Sequence, residues 1–405
     1  LSEKRSFDAI FVGGGVIGLS CAWRAAQRGA RVAVLERAEP PAGATNVAAG
    51  MLAPVGELTF GEPELLQLTL ASARLYPEFV AELEQATGMS TGYRRQGALH
   101  VALDRDEAAQ LRRVHELQRS LDLEAEWLPP RRCRELEPGL TPSFHGGVFA
   151  AGEAAIDPRA LAHALAKALV EAGGELLTGC EVVGGVFEGE RLAGLRTADE
   201  ELYADTVVLC AGAWSGAAEW LPEHARPPVR PVKGQVLELR APDAEPLCER
   251  IIASERVYLV PRPDGRLVVG ATSEERGFDT TVLAGGVHEL LREAYRVLPD
   301  VAELELLDAI AGLRPGTPDN LPLIGPGAIP GLHLATGHYR NGVLLAPLTA
   351  DAVVSQLAGE AKAEVAAADP ARFAASSQAR LTFPPDSDGK DKHAPRPAGL
   401  QGVSS

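Results

Sequence analysis

The stretch from Phe7 to Glu36 limits the possible folds of this chain more than any other. An apolar run, Phe7-Asp8-Ala9-Ile10-Phe11-Val12, leads into Gly13-Gly14-Gly15-Val16-Ile17-Gly18; a helix-length segment follows, then Val32-Ala33-Val34-Leu35-Glu36. Strand, glycine turn, helix and second strand in that order form a βαβ unit suited to a dinucleotide. Gly13 permits the tight turn, Gly15 lets the backbone approach a pyrophosphate, and Gly18 lets the helix lie close to the sheet. The helix start offers N–H groups to phosphates. Glu36 ends the second strand, where its carboxylate can accept hydrogen bonds from ribose hydroxyls. A glycine-rich loop alone is only a turn, and the surrounding order is what makes the nucleotide reading. Lys4 and Arg5 ahead of an apolar stretch also suggest an export signal, but Asp8 and the glycines interrupt that stretch and Arg24 and Arg28 follow it, so export is not expected.

With 405 residues, 46% of them hydrophobic, the chain can bury a large core, and its length favours two or three domains. A net charge of −16 without a basic cluster argues against nucleic acid as a partner. Any anionic ligand therefore needs local arginines. Cys21, Cys133, Cys180, Cys210 and Cys248 form no CxxC pair and no metal-ligand spacing, which predicts reduced thiols in a cytoplasmic setting and no metal. No apolar run is long enough to span a bilayer, since Pro347 breaks the best one, so membrane insertion is not expected. Residues 384–405, polar and rich in Pro, Gly and Ser, predict a loose tail.

Periodicity places helices from Pro63, around Leu111 to Leu121, and from Pro158, where Asp157 is suited to cap the helix. Strands are expected at Gln96–Leu103, from Glu175, and at Thr206–Cys210, the last a continuous apolar run typical of a buried parallel strand. Val257–Val260 and Arg266–Val269, joined by Pro263-Asp264-Gly265, read as a hairpin of a second, largely antiparallel sheet. Gly331–Gly337 and the apolar helix from Gly342 return to the first domain, which is thus assembled from separated pieces. The class is α/β with α+β elements.

Residues 42–51 are almost all small, which suits either a loop lying against a flat ligand or a tightly packed helix start. Arg314 and Arg340 each stand beside Pro or Gly, in segments that read as rigid loops able to aim a guanidinium fork at a carboxylate. A surface ion pair would explain either arginine equally well. Tyr258 alternates with apolar neighbours on the hairpin, so its ring packs on one sheet face, either as core or with its hydroxyl reaching a ligand. There is no GxSxG elbow, and no histidine shares a helix with a second ligand at metal-binding spacing.

Taken together, VGGGVIG, TNVAAGML, PVKGQ at Pro231–Gln235, VYLVPRPDGRLVVGAT, AGLRPGTPDNLPLIG and TGHYRNGVLLAP resemble the D-amino-acid oxidase superfamily of flavoproteins, and within it the glycine oxidase group of thiamine biosynthesis. The likeness runs from about Phe7 to Leu357. It implies a Rossmann-like FAD-binding domain from residues 1–90, 150–225 and 310–360, with a substrate-binding domain from 91–149 and 226–309. It implies FAD with Val16 and Ile17 at the phosphate turn, Glu36 and Arg37 near the adenosine ribose, and Ala44 and Thr45 beyond. Ala49, Gly50 and Met51 would run along the flavin, Val182 would hold the adenine through its backbone, and His338, Tyr339, Arg340, Asn341, Gly342, Val343 and Leu344 would line the ring. Arg314 and Tyr258 would bind the substrate carboxylate and Arg340 would complete that side.

The likeness departs at Arg256, where the family has histidine, and at Ser273, where it has methionine, which leaves the preferred amino acid open. No cysteine follows the Arg314 or Arg340 segments, so noncovalent FAD is expected. The expected activity is oxidation of glycine, sarcosine and small D-amino acids to 2-oxo acid, ammonia and H2O2, with O2 as acceptor, in a homo-oligomer. A D-amino-acid dehydrogenase and a non-catalytic flavin protein are the alternatives. An NAD-dependent dehydrogenase fits the opening motif but not TGHYRNG.

Overall fold

The computed structural model describes residues 5–376 of the 405, apart from residue 244; the tail expected at 384–405 lies outside the described residues. Two eight-stranded sheets dominate the fold. In the first, the strands Leu332–Thr336, Glu201–Leu209, Ser6–Val12, Val32–Leu35 and Glu175–Leu177 run side by side and parallel. Both faces of this sheet are covered, which is why its strands read as unbroken apolar runs. Along Ser6–Val12, Ala9 and Phe11 point to a core formed with the helices Val16–Gln27, Pro63–Thr87, Pro158–Glu171 and Gly342–Leu357. Phe7, Ile10 and Val12 point to the opposite core, with Leu192, Leu195 and Leu202. The Asp157 carboxylate accepts from the N–H groups of Arg159 and Ala160 and caps the Pro158 helix.

The second sheet runs in the order Glu305–Gly316, Arg230–Arg240, Arg266–Gly270, Tyr258–Pro261, Ile251–Ala253, Ala98–Val101, Gly147–Ala150, Glu126–Leu128. All its pairings are antiparallel except that of Ile251–Ala253 with Ala98–Val101. One face carries Leu237, Leu259 and Val269 under the helix Ala284–Val297. The other carries Val236, Val260 and Val268 and meets Val47, Ala49 and Met51 of the small-residue segment. That meeting of the second sheet with the 42–51 segment positions the site.

Two expectations need adjusting. The domain boundary at 310 cuts the strand Glu305–Gly316, which pairs along its length with Arg230–Arg240 in the second sheet. Arg314 therefore sits on a strand and not in a loop. Pro315 and Gly316 suggested a turn, but this strand is the sheet edge, where a proline lacking an N–H is tolerated. Residues 42–51 combine both readings, as the short helix Gly43–Val47 followed by an extended run into Met51–Leu52.

Candidate active site

The turn after the first strand is built on contact distances that exclude side chains. Gly13 has φ +113°, and a Cβ on Gly18 would lie 2.0 Å from the Gly13 carbonyl oxygen. Gly15 precedes the helix in an extended conformation with no side-chain cap, so the first N–H groups point outward. One of them, Val16 N–H, donates to Thr45 Oγ1 at 3.1 Å, which binds the small-residue segment to the turn. The side chains of Val16 and Ile17 are buried in the core, leaving their backbone to face outward. Glu36 accepts from Gly14 N–H at 2.7 Å and Ala38 N–H at 2.9 Å, and each carboxylate oxygen keeps further acceptor capacity. The Arg37 guanidinium lies 4.3 Å from the centre of the Trp214 ring. Val182 packs against the second core of the first sheet; its loop runs beside Glu36 because Cys180 N–H donates to the Glu36 carbonyl at 2.9 Å.

Adjoining this turn is a cavity of about 480 Å³. Ala44, Thr45, Ala49, Gly50 and Met51 form one wall, Tyr258 and Arg314 another, and Tyr339, Arg340, Asn341, Gly342 and Val343 a third. His338 and Leu344 are not on its walls. His338 is buried with its ring 3.0 Å from Thr349 Oγ1, and Leu344 is in the core, its carbonyl accepting from Ser72 at 2.6 Å. The cavity wall reaches residue 339 because Tyr339 takes φ +47° and donates its N–H to the Pro315 carbonyl at 3.0 Å. This bond ties the Arg340 turn to the strand carrying Arg314.

Arg314 and Tyr258 occupy room made for them. The Arg314 guanidinium lies over Gly234, where a Cβ would come within 2.4 Å of Nη1, and it donates to the Thr272 carbonyl at 3.0 Å. The Tyr258 ring lies across its strand partner Gly270, where a Cβ would approach the hydroxyl to 2.3 Å. Burial outweighs the Arg314 charge beside the Tyr258 hydroxyl, which favours ionisation, and pushes the phenol above its ordinary value, so it stays protonated. A neutral hydroxyl and a guanidinium fork on one wall form a receptor for a carboxylate.

Sequence reasoning missed four acidic and basic groups here. Glu57 is solvent-exposed and opens onto the cavity, and the protein near its carboxyl raises its pKa against the pull of Arg340. Its turn is held by Glu153, which accepts from Val55 and Gly56 N–H beside His100. Lys233 of the PVKGQ motif is fully buried and donates to the Thr281 carbonyl at 2.5 Å. Only Lys233 lies in a motif, and the groups that hold Glu153 and Lys233 lie tens of residues from them.

Burial lowers His338 to about 3 and His333 to about 4, so both are neutral at ordinary pH. A base depressed by folding binds its proton more readily in the unfolded chain, so stability present above the ordinary value of 6.5 is lost as the pH falls toward 4. Glu107 and Glu137, raised by burial, act in the opposite sense. The contribution of His333 is isolated by H333Q. In urea unfolding between pH 6.5 and 4, that variant should lose about 1.4 kcal/mol per pH unit less than the parent. Equal slopes would show that His333 is not the group responsible.

Comparison with known proteins places this geometry in context. The family model described as DAO, FAD dependent oxidoreductase, matches residues 8–356. The "Bifunctional protein ThiO/ThiG" of Trichormus variabilis is 38% identical over 359 residues, which is 88% of this chain and 53% of that protein. The chain thus spans about half the length of such relatives. The glycine oxidase of Geobacillus kaustophilus is 36% identical over 349 residues, 85% of this chain and 90% of that protein. The crystal structure of glycine oxidase from Geobacillus kaustophilus superposes with a TM-score of 0.84 at 34% identity, covering 91% of this chain and 99% of that one.

Proposed function

Because the chain belongs to the DAO family of FAD-dependent oxidoreductases, we propose that it oxidises glycine and other small amino acids, such as sarcosine and small D-amino acids, at the α-carbon. The products in this reading are the imine, hydrolysed to 2-oxo acid and ammonia, and H2O2 from O2, with glycine imine serving the thiazole of thiamine. The observation that carries it is that Arg314 and Tyr258 together line the cavity that the small-residue segment also lines.

The residues present fit FAD. The Gly13–Gly18 turn has no room for side chains and an open helix start, and Glu36 has acceptor capacity left. In this assignment Gly13, Gly15 and Gly18 shape the turn, Val16 and Ile17 lie at the phosphates, and Glu36 and Arg37 face the ribose. Ala44 and Thr45 lie beyond the ribose, Ala49, Gly50 and Met51 lie along the ring, and the Val182 backbone meets the adenine. Tyr339 to Val343 close the far side, with His338 and Leu344 supporting them from the core. The first sheet thus carries the cofactor and the second the substrate. Bound FAD supplies the hydride acceptor and the route of electrons to O2.

This chain's own part is positioning. The Arg314 fork and the Tyr258 hydroxyl hold the carboxylate, which turns the α-carbon toward the opposite wall, and Arg340 closes the substrate side. Apolar walls at Met51 and Val343 exclude water. The five cysteines are free thiols and none lies on the cavity wall, which supports noncovalent FAD and a cytoplasmic setting. No helix among the described residues is long and apolar enough to cross a membrane. We further propose a homo-oligomer, from family resemblance.

Oxygen uptake by the purified protein tests this reading. With glycine or D-alanine, one O2 should be consumed and one H2O2 and one ammonia formed per substrate, and with sarcosine methylamine should replace the ammonia. Reduction of an artificial dye without oxygen uptake would replace the oxidase by a dehydrogenase.

A further inference from the structure

We propose that a network of Arg159, Arg262, Arg266, Asp157 and Glu238, buried at Arg262 and Glu238, locks the small-residue segment onto the second sheet, making Arg262 and Arg159 positioning residues for the reaction. The inference rests on the reading of residues 44–51 as the cofactor-facing segment.

The geometry runs through both units of the fold. The hairpin turn after Tyr258–Pro261 carries Arg262, whose Nη2 donates to the Ala49 carbonyl at 2.5 Å. From the opposite side Arg159, in the first turn of the Pro158 helix, donates through Nε to the Asn46 carbonyl at 2.9 Å. In the last turn of the short Gly43–Val47 helix and just past its end these carbonyls have no helical partner, and the two arginines supply one. The acids join Arg159 to Arg266, and Arg262 is tied to Arg266 through its N–H, which donates to the Arg266 carbonyl at 2.8 Å. Glu238 accepts from Arg159 at 2.9 Å and from Arg266 at 3.0 Å, and Asp157 accepts from Arg266 at 2.9 Å. Asp157 thereby serves the helix cap and the second sheet at once. Backbone contact completes the clamp: Ile156 N–H donates to the Gly50 carbonyl at 2.9 Å, and a Cβ on Gly50 would lie 2.0 Å from the Ile156 oxygen.

Stability alone is a poor reason for such a network. Arg262 is 4% exposed, its Nε has no partner, and burial lowers its pKa to about 10. Removing charges from water costs several kcal/mol per ion, which apolar packing would avoid. Directional bonds give a fixed distance instead. The second sheet carries Arg314 and Tyr258, so a lock between that sheet and residues 46–50 sets the separation between bound substrate and cofactor. A misplacement of about 1 Å there costs on the order of 100-fold in rate.

The test uses holoenzyme and reconstituted apoprotein of wild type, R262M, R262K and D264N. Asp264 bonds Arg266 from the exposed rim and serves as the control. FAD affinity is read from quenching of flavin fluorescence, together with kcat and KM for glycine and thermal unfolding of the apoprotein. R262M should bind FAD at least about tenfold more weakly, with kcat reduced and KM changed less than about twofold. R262K should recover part of both, and D264N should match wild type. Wild-type FAD affinity and kcat in R262M overturn the proposal, whatever its melting temperature. If R262M does not fold, R159Q, which removes the Asn46 and Glu238 contacts, is held to the same two readings. Wild-type protein that binds no FAD instead removes the reading of the segment itself, and this proposal with it.

Discussion

Arg314→Ala is expected to give a yellow protein whose kcat/KM for glycine is lower by about 10²–10³-fold. The size follows from charge-assisted hydrogen bonds between the fork and a carboxylate inside a cavity, where losing one partner leaves a charge unpaired at about 3–4 kcal/mol, and each 1.4 kcal/mol is about tenfold. The colour survives because Arg314 bonds Thr272 and Lys233 carbonyls in the second sheet and touches neither the glycine turn nor the 44–51 segment. Tyr258→Phe removes one neutral donor from the same wall and should cost about tenfold. The two losses should not add in the double variant, since both side chains line one cavity and would act on one carboxylate. Full activity in Arg314→Ala would remove it from the site, and a colourless variant would place it at the cofactor.

Gly18→Val is expected to abolish FAD binding and destabilise the protein by about 3 kcal/mol or more. Its Cβ would fall 2.0 Å from the Gly13 oxygen and 3.3 Å from the Cys210 side chain. Backbone forms the near contact, so no side chain can rotate away, and the helix must lift off the turn. Lifting it moves the N–H groups that await the phosphates and strains the Val16 to Thr45 bond. Gly29→Ala separates this from general glycine effects. Gly29 has φ +83° with open space around it, so alanine there pays only the left-handed conformation, about 1–2 kcal/mol, and should stay yellow. Flavin content per folded protein and melting temperature decide the comparison. Stoichiometric flavin in Gly18→Val would show that helix contact at the turn is not needed for binding.

The parts of this protein legible in its sequence are those made by local chemistry. The glycine turn, the Asp157 cap and the Pro263–Gly265 hairpin each need particular residues within a few positions, and all three are present as read. The Arg314 segment was legible as a site but not as a strand, because Pro315 and Gly316 favour a turn and only the sheet order reveals an edge that accepts them. In the last turn, spacing could not tell His338 and Leu344, which face the core, from Tyr339 and Val343, which face the cavity. The positive φ at Tyr339 decides that, and no residue type announces it. Glu57, His100, Glu153 and the Arg262 lock were illegible for one reason. Their partners come from the other sheet or from helices far along the chain, and long-range pairing leaves no spacing to read.

The central claim is that this cavity passes electrons from a small amino acid to bound flavin. Anaerobic absorbance of the yellow holoenzyme, recorded before and after glycine and again after air is admitted, tests it most directly. The account predicts bleaching of the flavin band with glycine and its rapid return in air, with Arg314→Ala bleaching far more slowly under the same conditions. A band that stays unchanged with glycine, sarcosine and small D-amino acids would contradict it.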